Sequence, residues 1–153
     1  FVSAIWITSF RHLRWSRGII LILFFAFLYQ NFSLSKTYLT HPGPYGVSLT
    51  SQIQAIDWIY QNASSQPFNT DVYVPPMIPY AYDYLFLWRG ETIFHSQPTT
   101  PLVPLLYTIQ EPDPGHQTLF DTWFTRQSYY SSIEQTKLFG PLIVQRRYRH
   151  KFK

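Results

Sequence analysis

The chain has 153 residues and a net charge of +4, and only 13% of its residues are charged while 20% are aromatic. It contains no cysteine, which excludes disulfides, zinc–thiolate sites and thiol nucleophiles. Positive charge is concentrated at the front and at the end of the chain, which argues against a continuous nucleic-acid-binding face, so we expect no nucleic-acid partner.

The first predicted element is a hydrophobic segment that follows a group of arginines. The run "GIILILFFAFLY" at 18–29 is uninterrupted, and its apolar flanks extend it to about twenty residues, the length that crosses a bilayer. Three arginines at 11–17 predict a cytoplasmic loop, from which the chain leaves the cytoplasm. We therefore expect 1–34 to hold the end of one transmembrane helix, a basic loop and the last transmembrane helix of a multi-pass cell-membrane protein. The chain begins at Phe1 inside an apolar stretch, so we also expect more of the protein to precede it.

Two alternatives compete with the membrane span. A short apolar run is often a buried core helix, but this one has no polar face. A secretory signal peptide would use "RHLRWSR" as its charged region and Ser33-Leu34-Ser35 as a poor cleavage site. The apolar decapeptide at 1–10 fits a signal peptide badly, and the membrane span is therefore favoured.

A linker and a folded domain follow. "THPGPYG" at 40–46 cannot continue a helix, so we expect a Pro/Gly linker over 35–47 and an extracytoplasmic domain over 48–153. The patterns then predict a helix ending near 62–65, a strand "TDVYVPP", a helix "MIPYAYDYLFLWRG", a strand "PLLYTIQ", a helix over roughly 116–127, and two strands joined at Phe139-Gly140-Pro141. Helix-linked strands followed by a hairpin predict an α/β (α+β) fold, with helices packed on a small mixed β-sheet.

Helical spacing and capping rules predict finer detail. Ser48, Thr50 and Ser51 can cap the first helix of the domain, and Ser51 and Gln54 match a capping box. Gly90 matches the C-terminal cap of the second helix. The predicted core-facing residues of the three helices are, in chain order, Ile53, Ile56, Ile59 and Tyr60; Ala81, Leu85 and Trp88; and Leu119, Phe120, Trp123 and Phe124.

The first candidate for chemistry is an acidic group just past a predicted strand end. Glu111 and Asp113 lie where α/β proteins often place sites, and with His116 they could ligate a metal ion. The favoured alternative is that Pro-Asp-Pro-Gly forms a turn, Asp113 caps the next helix and His116 is solvated. We keep Glu111 and Asp113 as candidate binding residues and predict neither a metal nor a cofactor, because the standard soluble-enzyme motifs are absent from the sequence.

The second candidate is an aromatic stripe. Tyr80, Tyr84 and Trp88 lie at i, i+4 and i+8 near Asp83, and such rings with a carboxylate can hold a sugar or a cation. Stripes of this kind more often pack on a sheet. We therefore predict that the stripe faces the sheet, and that Tyr84→Ala destabilises the domain by several kcal/mol, as core aromatic truncations do.

Two further patterns have simple interpretations. The tail "RRYRHKFK" could contact nucleic acid or anionic lipid, but outside the cytoplasm a solubilising terminus is the favoured interpretation. Asn62-Ala63-Ser64 matches a glycosylation sequon, a match that is common by chance.

The order of features resembles a family of membrane enzymes. The most specific stretches are "PFNTDVYVPPMIPYAYDYLF" and "YTIQEPDP", followed by the closing hairpin "GPLIVQRR". Over roughly 1–147 the chain resembles the C-terminal region of bacterial polytopic glycosyltransferases of the C-type fold, the superfamily of protein mannosyltransferases and lipid A aminoarabinose transferases. The resemblance implies transfer of a sugar from a polyprenyl-phosphate donor to a glycan or protein acceptor in the cell envelope.

The same resemblance implies that this part of the protein contains no catalytic residue. Members of the superfamily hold their catalytic carboxylate in the first extracytoplasmic loop, which this chain lacks, so no catalytic residue is assigned. The outer domain is expected to help bind the acceptor or to cover the active site. The alternative is a membrane-anchored binding module for glycan or peptide without catalysis, and a third possibility is a soluble protein whose apolar front is core.

Overall fold

A computed structural model describes residues 18–36, 44–74 and 79–150. The chain divides into two compact units, Phe1–Leu39 and Thr40–Lys153. The predicted preceding span and basic loop, most of the predicted linker and the last residues of the basic tail lie outside the described residues.

The first unit contains one described helix, α1, over Gly18–Lys36. It has 19 residues, and its most apolar 18-residue window has a mean hydropathy of 1.7 and is not buried. Asn31, near its end, donates from Nδ2 to the Phe27 carbonyl at 2.8 Å, so this amide is satisfied within the helix. An apolar helix is thus present where the sequence predicted one. Its length and composition suffice to cross a bilayer, although signal sequences and core helices share these properties, so the membrane span stays a prediction.

The second unit is an α+β domain, and the predicted fold class is confirmed. After a short 3-10 turn at Pro44–Gly46, its elements are α2 (Leu49–Ala63), β1 (Asn69–Tyr73), α3 (Tyr80–Arg89), a π-helical turn (Gly90–Phe94), β2 (Leu105–Gln110), α4 (Gln117–Tyr130), β3 (Ser131–Phe139) and β4 (Leu142–Arg149). The sheet order is β1-β2-β4-β3. β1 and β2 are parallel, as expected of strands joined through a helix, and the other pairs are antiparallel.

The two faces of the sheet have different chemistry. Alternate residues of β2 and β4 face α2 and α3 across an apolar core, whose fully buried members include Ile56, Ile59, Tyr107, Ile109 and Val144. The intervening residues face α4 and are largely polar. Arg147, for example, is 1% exposed and donates to Ser128 Oγ of α4 at 3.0 Å.

Helix α2 follows its sequence pattern closely. Its predicted face is confirmed, with Ile56, Ile59 and Tyr60 buried and Ile53 partly buried against the core. Of the predicted cap residues, Ser48 is the N-cap, and its Oγ accepts from the Ser51 backbone N–H at 3.1 Å. The helix therefore begins before the predicted Ser51–Gln54 box, which does not cap it.

Helix α3 buries a different face from the predicted one. Tyr82, Leu85 and Phe86 are buried, whereas Ala81 and Trp88 are exposed. Gly90 is the C-cap residue of α3, as predicted, but its φ of −61° is right-handed and continues the helical path into the π-helical turn. The left-handed residue that ends this turn is His95, with φ 50°.

Helix α4 and the end of the chain bring two more corrections. The helix extends to Tyr130 rather than Gln127, and the predicted core residue Leu119 is exposed. The arginines of the basic tail that the structure describes do not form a solvated terminus. Arg147 and Arg149 are buried in β4, and Arg149 donates to Asn69 of β1 on the same face of the sheet.

Candidate functional site

A groove lies at the carboxyl ends of the parallel strands β1 and β2. Parallel strands end at the same edge of a sheet, and open α/β sheets commonly bind ligands at that edge. The groove has a volume of about 550 Å³, and its lining comes from the β2–α4 loop and from distant parts of the domain: Tyr45, Gln110, Glu111, Pro112, Asp113, Pro114, Gln117, Phe120, Pro141 and Ile143. Two candidate residues from the sequence, Glu111 and Asp113, therefore lie side by side in one groove.

Asp113 is a buried, fully engaged carboxylate. Its Oδ2 accepts from the Tyr73 hydroxyl at 2.7 Å, and its Oδ1 contacts His116 Nδ1 at 2.8 Å. A carboxylate can only accept, so the imidazole nitrogen donates. Burial alone would raise the pKa of Asp113, but the hydrogen bonds from Tyr73 and His116 outweigh it and hold the pKa below its usual range. Conversely, burial and the neighbouring Asp113 carboxylate raise the pKa of Tyr73 to about 12.

This arrangement corrects one prediction. No side chain caps α4, whose N-cap residue is His116, and Asp113 instead holds the His116 ring. The ring itself is about half-exposed at the start of the helix.

Glu111 lines the groove and accepts hydrogen bonds from the two helices on the opposite face of the sheet, α2 and α3. Its Oε1 accepts from the Tyr82 hydroxyl of α3 at 2.6 Å and from Gln52 Nε2 of α2 at 3.3 Å. Burial, followed by the hydrogen bond to Glu111, raises the pKa of Tyr82, so the phenol is a permanent donor. The carboxylate is thereby fixed by two helices at the end of β2.

Gln110 is a candidate binding residue that the sequence reasoning missed. It is the last residue of β2, is 3% exposed and lines the groove. Its Nε2 is buried without a hydrogen-bond partner among the described residues, which is rare for a buried amide. The sequence offered one signal, an amide that ends the strand "LLYTIQ" immediately before the acidic loop.

The remaining walls of the groove are largely apolar. The Phe120 ring packs edge-on against Tyr73 with centroids 5.3 Å apart, and it faces the groove together with prolines and the half-exposed Tyr45. Gln117 also lines the groove, and its Nε2 donates to Asp121 Oδ1 at 2.8 Å. No lysine or arginine is among the lining residues. Within the described part of the chain, no group of three His, Cys, Asp or Glu side chains could hold a metal ion. The groove therefore offers carboxylate acceptors, amide and hydroxyl groups and ring surfaces, and it lacks positive charge for an anion.

The aromatic stripe lies apart from this groove. Tyr80, Tyr84 and Trp88 are 69%, 64% and 38% exposed, and Asp83 beside them is exposed too. The predicted packing of the stripe on the sheet is wrong, because Tyr82, Leu85 and Phe86 supply the buried face of α3. Neither the three stripe residues nor Asp83 line the groove, so the structure does not bring the two candidate sets into one site.

The side chain of Asn62, the asparagine of the predicted sequon, forms hydrogen bonds within the domain. Its Oδ1 accepts from the Tyr107 hydroxyl at 2.7 Å and from Arg146 Nη1 at 2.9 Å, and its Nδ2 donates to Gln135 Oε1 at 3.2 Å. The amide therefore has a structural role between α2 and the sheet.

No protein-family model, curated protein or solved structure matches this chain. The likeness to the glycosyltransferase superfamily stays a prediction.

Proposed function

We propose that the chain is the C-terminal region of an integral-membrane glycosyltransferase that takes its sugar from a polyprenyl-phosphate donor. In this proposal α1 is the last membrane span of a multi-pass protein, and the α+β domain lies on the extracytoplasmic side. There the domain assists binding of a glycan or protein acceptor, and the catalytic residues belong to another part of the protein.

One observation carries the proposal: the chain joins an apolar helix of 19 residues to a domain whose groove suits a hydroxyl-rich ligand. Three arginines precede the helix, and the positive-inside rule then places the domain outside the cytoplasm. Carboxylates, an amide and aromatic rings are the groups that orient small polar ligands in concave sites.

The location of the domain is tested by cysteine labelling. Gln66 is exposed in the loop after α2, so Gln66→Cys in an otherwise cysteine-free full-length protein gives a single reactive thiol. We expect a membrane-impermeant maleimide to label this thiol in intact cells. Leu106→Cys, whose position is fully buried, is the matched control and should react only after denaturation. Labelling of Gln66→Cys only after lysis would contradict an extracytoplasmic domain.

The activity is tested on membranes that contain the full-length protein. We expect radiolabel from polyprenyl-phosphate hexoses to pass to a glycan or protein fraction, and we expect removal of residues 40–153 to reduce this transfer. Membranes that show no donor consumption, with a correctly folded and exported domain, would contradict the transferase.

The second candidate function is a membrane-anchored binding module without catalysis. The groove favours this second candidate, because all the side chains that line it belong to one domain and binding requires no other part of the protein. Ligand binding in a protein that consumes no lipid-linked donor would support this candidate over the transferase.

A further inference from the structure

We propose that the groove at the carboxyl ends of β1 and β2 binds one ring of a neutral glycan, and that Gln110 Nε2 donates to one of its hydroxyls. The inference deepens the proposed function and rests on it in one respect, since it takes the bound glycan to be the acceptor. The binding site itself follows from the residues of the groove.

The first argument is the unpartnered amide. Buried side-chain donors are nearly always paired, because an unmade hydrogen bond destabilises the fold. Gln110 Nε2 has no partner among the described residues, and the residue lines an open groove rather than a closed cavity. The Nε2 atom itself has almost no solvent-exposed surface, so the side-chain amide has to turn toward the groove before a ligand oxygen supplies the missing acceptor.

The second argument is the combination of donors and acceptors. Glu111 and Asp113 present carboxylates beside Gln110, and the pKa of Asp113 is held low, so this group stays ionised at neutral pH. A hydroxyl can accept from the amide and donate to a carboxylate at the same time. A ligand whose only polar group is an ammonium would be attracted by the carboxylates but would leave Gln110 unpaired, because it has no acceptor. An anion would face carboxylates with no lysine or arginine in the lining.

The third argument is shape. The volume of about 550 Å³ lies within the range of small-molecule sites, about 300–1,000 Å³. Phe120 and the prolines provide apolar surface opposite the polar edge of the groove. A pyranose ring matches this division, because its C–H face is apolar and its hydroxyls point outward around the rim.

The test is a binding measurement on the full-length protein in detergent micelles. The probes are methyl α-glycosides of mannose, glucose and galactose, with cyclohexylammonium as a cationic ring that has no acceptor and glucuronate as the anionic probe, each followed by saturation-transfer NMR. We expect at least one neutral glycoside to bind more tightly than both charged probes. Absence of binding by every neutral glycoside, or tighter binding of a charged probe, would overturn the inference.

Gln110→Met tests the assigned residue. The variant keeps the length of the side chain and removes only the amide, so we expect about tenfold weaker binding of the neutral glycoside. We also expect an unchanged or higher melting temperature, because the buried Nε2 donor has no partner to lose. Gln61→Met, the same change on the exposed side of α2, is the matched control and should bind like the parent protein. Unchanged affinity in Gln110→Met would overturn the inference.

A lower melting temperature in Gln110→Met would point to a structural role, so a second measurement uses the unchanged protein. With selective ¹⁵N labelling of glutamine, we expect the side-chain amide signal of Gln110 to shift when the neutral glycoside is added. A signal that stays in place at saturation would overturn the assignment of Gln110.

The two proposals fail in different ways. Glycoside binding that depends on Gln110, in a protein that transfers no sugar, supports the groove and contradicts the transferase. Sugar transfer that Gln110→Met leaves unchanged, with no glycoside bound, overturns the groove and leaves the transferase standing.

Discussion

Among single residues, Asp113 gives the clearest pH dependence. Its pKa is lower in the folded protein than the usual value of about 3.9, since the hydrogen bonds from Tyr73 and His116 outweigh burial. A depressed folded-state pKa contributes stability that is present above pH 4 or so and is lost as the pH falls through the folded value. We therefore expect Asp113→Asn to lower the melting temperature at pH 7, and the difference from the parent protein to shrink as the pH approaches 2.

Thermal unfolding followed by near-UV circular dichroism between pH 2 and 7 measures this effect. Asp83→Asn removes the same charge from an exposed position on α3 and serves as the control, for which we expect a small change. A difference between Asp113→Asn and the parent protein that is the same at pH 2 and pH 7 would contradict the linkage.

Tyr82 and Tyr84, two residues apart on α3, test which face of that helix is buried. Tyr82 is buried and donates to Glu111, whereas Tyr84 is 64% exposed. We expect Tyr82→Ala to cost about 3–5 kcal/mol of unfolding free energy and Tyr84→Ala to change it by less than about 0.5 kcal/mol. Chemical denaturation of both variants measures the difference. A loss of several kcal/mol in Tyr84→Ala would restore the packing that the sequence predicted.

For single residues, the sequence predicted a side chain's position well only where that position depends on residues close to it in the chain. Glu111 and Asp113 were identified because they lie next to a strand end in sequence. The unpaired state of Gln110 depends on everything that surrounds the end of β2, which no local pattern contains. Likewise Arg147 and Arg149 looked like a solvated tail, and only their strand register places them against α4 and β1.

At the level of elements, the junction after α3 yields a prediction that opposes helix propensity. Gly90 has φ −61°, which alanine adopts readily, so propensity alone predicts that Gly90→Ala gains about 1 kcal/mol. A Cβ at this position would lie 2.2 Å from the Ser96 carbonyl oxygen and 2.6 Å from the Tyr60 hydroxyl. We expect the clash to dominate and the variant to lose about 1–3 kcal/mol, measured by chemical denaturation.

Gly115→Ala is the control for this steric argument. The nearest atom to a Cβ there is Asp113 Oδ1 at 3.9 Å, an ordinary contact, so we expect little change in stability. A stabilised Gly90→Ala would mean that the turn relaxes and that propensity decides.

The same junction shows which features of an element a sequence predicts well. Element types and approximate ends followed from periodicity, prolines and caps, and α2, β1, β2 and the closing hairpin were predicted correctly. The buried face of α3 was wrong because two aromatic stripes compete on one helix. The choice between Tyr82 and Tyr84 is made by distant partners, Glu111 and the core, rather than by helical spacing.

For the whole molecule, the mixed sheet could be predicted because chain connectivity restricts it. A strand, a helical connection and a second strand pair in parallel, and a two-residue loop at Gly140 and Pro141 forces an antiparallel hairpin. The groove could not be predicted, because its lining joins Tyr45, the β2–α4 loop and Pro141, which meet only after the sheet has formed.

The division of the chain into two units leads to the last prediction, that a variant beginning at Thr40 folds by itself. The unit Thr40–Lys153 contains the whole sheet and the helices packed on it, together with a contiguous buried apolar core. The apolar side chains of α1 are exposed along its length, so the full chain should need detergent while the variant should not.

Size-exclusion chromatography without detergent and thermal unfolding measure this prediction. We expect the variant to be monodisperse and to unfold in one cooperative transition, and we expect residues 1–153 to aggregate under the same conditions. The opposite result, an aggregated variant and a monodisperse full chain, would mean that α1 completes the core of a soluble protein. That result would contradict the membrane span and the glycosyltransferase together, since both depend on the apolar surface of α1 lying in lipid.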